Sequence, residues 1–149
     1  MTHKILILNG PNLNMLGIRE PEIYGGDSLD KIRVASEEHG DKYSLVIDFR
    51  QSNEEGELVN WIQSAAEGYS GVILNAGAYT HTSIAILDAL KAIKLPTIEV
   101  HLSNIHQREP FRNTSYVSQI AVGVICGFGA QGYILAIDAL DTILKKEAK

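Results

Sequence analysis

Five short apolar runs punctuate the chain: KILILN (4–9), YSLVIDF (43–49), GVILNA (71–76), PTIEVHL (96–102) and QIAVGVIC (119–126). They are rich in β-branched residues and nearly continuous rather than alternating, the pattern of parallel strands covered on both faces. Segments with helical period lie between and after them, at about 28–39, 54–66, 81–93 and 129–146. The last places Tyr133, Ile137, Leu140 and Leu144 on one stripe and ends in Lys145 and Lys146, where the helix dipole favours cations.

Strands that alternate with helices call for right-handed crossovers and a parallel sheet. The predicted fold is therefore α/β, a flavodoxin-like three-layer sandwich around a five-stranded parallel sheet. At 149 residues and 45% hydrophobic composition the chain suits one core, and no repeat or linker divides it, so a single domain over 1–149 is expected. The net charge of -5, with no basic run longer than Lys145-Lys146, argues against nucleic acid and against an anionic membrane surface. No apolar stretch approaches the ~18 residues of a membrane span, and MTHKILILNG is too short and too quickly polar for a signal peptide. A cytoplasmic protein is expected. Cys126 lies in an apolar run and reads as a buried, inert thiol.

In open parallel sheets ligands bind outside the carboxyl ends of the strands. Here those ends are polar: Asn9-Gly10-Pro11-Asn12 after the first run, Asn75 in the third, and Glu99-Val100-His101-Leu102-Ser103 in the fourth. Glu99, His101 and Ser103 are spaced by two, so an extended chain turns them to one side. A carboxylate beside an imidazole stabilises its charged form, which suits a general acid. A satisfied surface pair is the plainer reading, and the strand-end position favours the chemical one.

The segment LGIREPEIYGG (16–26) exceeds an ordinary strand-to-helix loop and has the length that lids use, with Gly17, Gly25 and Gly26 as hinge positions. It carries Arg19 and Tyr24, and NIHQREPFR (104–112) adds Arg108 and Arg112. Three of five arginines thus gather at the ligand edge of an acidic chain. Solvated loop arginines are common, but guanidinium groups around a lone tyrosine favour its anion and so a base. In NAGAYTHTS (75–83), Asn75 and His81 are candidate binders of hydroxyl or carboxylate groups. Tyr79 reads as packing and Asp88 as an exposed acid on the following helix.

Two suggestive patterns fail on context. GFGAQG (127–132) fits a dinucleotide fingerprint, but only 17 residues follow it and no second strand carries a ribose-binding acid. His81, His101 and His106 lack metal-ligand spacing, so no metal is expected. The eight lysines open a strand or sit on helix faces, turns and the tail, so none is placed for an imine route. A receiver domain would need an acid where Asn75 stands. A flavin carrier would need a Ser/Thr-rich phosphate loop where GPNLNM stands.

GPNLNMLGIREPEIYG (10–25), DFRQSNEEGELVNWI (48–62), NAGAYTHTS (75–83), EVHLSN (99–104) and HQREPFR (106–112) together resemble type II 3-dehydroquinate dehydratase. The resemblance spans essentially the whole chain and includes GFGAQGYILAI. Met15 stands where leucine is usual and Ser28 where threonine often begins the first helix.

The resemblance implies dehydration of 3-dehydroquinate to 3-dehydroshikimate through an enolate, without a cofactor. It implies Tyr24 as proton acceptor, Arg19 as stabiliser of the tyrosinate and of developing charge, and Arg108 in support. Asn12 would hold a water against the enolate, and His101 would protonate the departing hydroxyl with Glu99 balancing its charge. Substrate binding would fall to Asn75, His81, Arg112, and the backbone amides of Leu102 and Ser103, with Asp88 acting across a subunit boundary. A homododecamer of four trimers is implied as well.

Overall fold

The computed structural model describes residues 2–18 and 28–148. Five strands, β1 (His3–Asn9), β2 (Leu45–Gln51), β3 (Gly71–Asn75), β4 (Thr97–His101) and β5 (Gly123–Cys126), form one sheet in the order β2-β1-β3-β4-β5. Every neighbouring pair is parallel. Four α-helices connect or follow them: α1 (Leu29–Asp41), α2 (Glu55–Ser64), α3 (Ile84–Ile93) and α4 (Gln131–Glu147). This is the expected sandwich, and its strand order is that of flavodoxin-like sheets.

Strand alternation splits the apolar residues into two cores. Ile5, Ile7, Ile73, Ile98 and Val100 face α1 and α4, where Ile32, Tyr133, Ile137, Leu140 and Leu144 meet them. Leu6, Leu8, Val72 and Leu74 face α2 and α3, against Leu58, Ile62, Ile86 and Leu90. Central strands buried on both sides explain why their sequences read as unbroken apolar runs.

Several boundaries differ from the sequence pattern. β2 begins at Leu45, two residues late, because Ser44 takes φ 58° and turns the chain into the sheet. α3 begins at Ile84 rather than at 81: Gly77–His81 forms a 3-10 turn, and the Ser83 side chain accepts from the Ile86 N–H at 3.0 Å as the helix cap. β5 is only four residues, since Val117–Gln119 turns as a 3-10 segment and pairing with β4 starts at Gly123. α4 starts at Gln131, after Gly127 and Gly129 take φ 95° and 58°. The GFGAQG glycines therefore make the strand-to-helix turn. Cys126 ends edge strand β5 and is half-buried, not buried as its apolar run suggests, because an edge strand lacks a neighbour on one side. Among the described residues no helix is long and apolar enough to cross a membrane.

Candidate active site at the strand ends

The strand order reverses between β1 and β3, and the carboxyl ends there are drawn together. Gly10 N–H donates to the Asn75 carbonyl at 2.8 Å, and a β-carbon on Gly10 would lie 2.2 Å from the Ala76 oxygen. Only glycine permits that approach. Beyond it Asn12 takes the left-handed conformation, φ 71°, which asparagine tolerates better than most residues. Its N–H donates to Asn53 Oδ1 at 3.0 Å, and Gln51 Nε2 donates to the same oxygen and to the Gly10 carbonyl, each at 3.1 Å. The Tyr79 hydroxyl donates to the Asn53 carbonyl at 2.7 Å, a polar anchor in addition to its packing.

At the end of β3, Asn75 is 3% exposed. Its Nδ2 donates to the Tyr133 hydroxyl at 2.9 Å, and that hydroxyl donates to Asn9 Oδ1 at 2.6 Å. Burial pushes the Tyr133 phenol far above its usual range, so it stays a neutral donor.

At the end of β4, Glu99 and His101 form the pair that the two-residue spacing predicts. His101 Nε2 lies 2.5 Å from Glu99 Oε2. Since a carboxylate only accepts, Nε2–H is the donor and Nδ1 is the other ring nitrogen. Burial alone would push the Glu99 carboxyl up, but hydrogen bonds from His101 and Ser118, the charge of His101, and a hydrogen bond from Ser115 hold it below the usual glutamate value. Thr80, Ser115 and Ser118, which supply hydroxyls to this carboxylate, carry no recognisable signal in the sequence.

His81 ends the 3-10 turn rather than standing on a helix, and its Nδ1 donates to the Thr114 carbonyl at 2.7 Å. Burial lowers its pKa, against the upward pull of that hydrogen bond. The ring is thus neutral near pH 7, with Nε2 as a hydrogen-bond acceptor.

These pieces enclose a cavity of about 190 Å³. Asn12, Asn75, His81, His101, Leu102, Ser103, Arg108 and Arg112 all line it, joined by Leu13, Met15, Leu16 and Ile105 on the apolar side. Arg108 Nη1 donates to Ser103 Oγ at 3.3 Å. Arg112 Nε donates to Glu109 Oε2 at 3.0 Å, and that hydrogen bond, foremost, holds the Glu109 carboxyl below its usual value. Glu99 stands behind His101 and is absent from the lining. Asp88 lies on the exposed side of α3 and does not reach the cavity within this chain. Arg19 and Tyr24 fall outside the described residues. Among the described residues no group of three His, Cys, Asp or Glu side chains is arranged to hold a metal ion.

The site therefore joins amide donors and acceptors, a buried carboxylate–imidazole pair, a neutral histidine and two guanidinium groups around a space for one small polar molecule. The chain resembles known proteins over nearly its whole length. Residues 3–141 match the family model described as dehydroquinase class II. A protein named 3-dehydroquinate dehydratase from Brucella abortus (strain S19) is 54% identical over 149 residues, 100% of this chain and 95% of that one. The crystal structure of type II dehydroquinase from Propionibacterium acnes superposes with a TM-score of 0.91 at 44% identity, covering 95% of this chain and 98% of that one. That of the Butyrivibrio crossotus type II dehydroquinase gives 0.92 at 44% identity, covering 94% and 98%.

Proposed function

The chain belongs to the dehydroquinase class II family, and from that premise we propose that it dehydrates 3-dehydroquinate to 3-dehydroshikimate in the shikimate pathway. It is a hydro-lyase. The observation that carries the reading is the Glu99–His101 pair at the end of β4, with His101 opening on a cavity that also presents Asn12, Asn75, His81 and Arg112.

A proton alpha to a ketone is too weakly acidic for water to remove, so the reaction needs a base and stabilisation of the enolate together. By family resemblance Tyr24 takes that proton. Arg19, with Arg108 in support, favours the tyrosinate and the charge that develops. Asn12 holds a water against the enolate oxygen. His101, its imidazolium balanced by Glu99, then gives a proton to the departing hydroxyl from Nδ1, the nitrogen not engaged by Glu99, and is left as a neutral imidazole. Asn75, neutral His81 and Arg112 bind the substrate, and the backbone amides of Leu102 and Ser103 take its carboxylate. No cofactor has a part in this scheme.

Residues 1–149 act as one catalytic domain in this reading, in the cytoplasm and within a homododecamer of four trimers. The exposed position of Asp88 on α3 supports its contact with a neighbouring subunit.

The test is ultraviolet absorbance of the purified protein mixed with 3-dehydroquinate, with borohydride in a parallel sample. Growth of the conjugated enone signal, insensitive to borohydride, is expected. An intact protein that yields no enone, or one that borohydride inactivates in the presence of substrate, contradicts the proposal.

A further inference from the structure

Glu99 is fully buried, at 0% exposure, yet one imidazole and three hydroxyl groups surround its carboxylate. Oε2 meets His101 Nε2 at 2.5 Å, Ser115 Oγ at 2.8 Å and Thr80 Oγ1 at 3.2 Å. Oε1 meets Ser118 Oγ at 2.5 Å. A buried carboxylate without such donors would neutralise or destabilise the fold. Satisfied in this way, it stays an anion with a fixed direction.

The serines come from outside β4, on the segment between the 3-10 turn Pro110–Asn113 and β5. That segment is fastened beside the turn after β3. Tyr116 N–H donates to the Thr80 carbonyl at 2.8 Å, Thr80 Oγ1 and Ser115 Oγ lie 2.5 Å apart, and the Thr114 carbonyl accepts from His81. Ser118 is an exposed residue overall. Its side chain fills no core space, so the bond to Glu99 is the contact that its hydroxyl contributes.

Resting on the dehydratase reading, we propose that Ser118, assisted by Ser115, is a positioning residue that aims the Glu99 carboxylate at His101 and so fixes the imidazole toward the departing hydroxyl. The titratable groups facing Glu99 are His101 from β4 itself and His81 from the turn after β3, with the charge of Arg112 beyond His81. The neighbouring strands place Leu74 and Val124 opposite Glu99 in register, and neither titrates.

Ser118→Ala and Ser118→Thr provide the test. Loss of one hydrogen bond to a charged group should lower kcat about tenfold. KM should change little, and the acid limb of the pH–rate profile should move to higher pH. Ser118→Thr, which keeps the hydroxyl, should restore both. Titration of the Glu99 side-chain carboxyl by carbon-13 NMR in the full-length protein should show a higher midpoint in Ser118→Ala. A wild-type pH profile together with an unmoved Glu99 midpoint would overturn the proposal. If the unaltered protein forms no enone, the dehydratase reading fails instead, and the carboxyl titration still decides whether Ser118 governs Glu99.

Discussion

The buried Tyr133 phenol accepts a hydrogen bond from Asn75 Nδ2 at 2.9 Å, so the last helix of the chain fixes an amide at the end of a central strand. The same hydroxyl donates to Asn9. Tyr133→Phe keeps the ring and strips both amides of a buried partner. It should cost about 1–3 kcal/mol of stability. Because Asn75 is then free to turn, KM for 3-dehydroquinate should rise more than kcat falls. Denaturant melts and steady-state kinetics on one variant check both halves. A variant as stable as the parent, with unchanged KM, would remove Tyr133 from the account.

Tyr24→Phe deletes the proposed base and nothing else of its size. Turnover should drop by about 10²- to 10⁴-fold, the usual contribution of a positioned acid or base. Circular dichroism should be unchanged. Substantial activity in this variant would refute the tyrosinate assignment.

Asp48 supplies a pH dependence of stability that is separate from the site. Arg50 Nη2 lies 2.8 Å from its Oδ2, and the Tyr69 hydroxyl donates to the same oxygen. Burial pushes the Asp48 carboxyl up, but the hydrogen bonds from Arg50 and Tyr69, with the charges of Arg50 and Lys4, hold it below its ordinary value. A lowered folded-state pKa means that this stabilisation is present above the unfolded value of about 3.9 and is lost as pH falls through the folded one. Asp48→Asn should therefore cost about 1–2 kcal/mol at pH 7, discounted for partial exposure, and distinctly less at about pH 2. Denaturation midpoints of both proteins at the two pH values measure it. An equal difference at both would show that the charge is not the source.

Much of this arrangement is legible in the amino-acid sequence. β1 and β3 are covered on both faces, so their unbroken apolar runs announced buried parallel strands, and the two-residue spacing of Glu99 and His101 announced their pairing. The edge strands were less legible. QIAVGVIC is apolar after its first residue, yet Val122 and Val124 are 61% and 44% exposed and only four residues pair. Apolarity there exceeds what the sheet uses. The residues that hold the site in place were illegible for another reason. Asn53 reaches the Asn12 N–H across 41 positions, and Ser118 reaches Glu99 across 19. Serine and asparagine in loops follow no period, so only the folded chain shows what they bind. Asp88 was legible as an exposed helix acid, and a single chain brings nothing to it from the cavity.

In the proposed reaction His101 acts after the alpha proton has left. His101→Ala incubated with 3-dehydroquinate in heavy water, followed by proton NMR, tests it most directly. Continued exchange of the alpha proton with solvent is expected while formation of the enone is nearly lost. Exchange and elimination falling together, to the same extent, would contradict it.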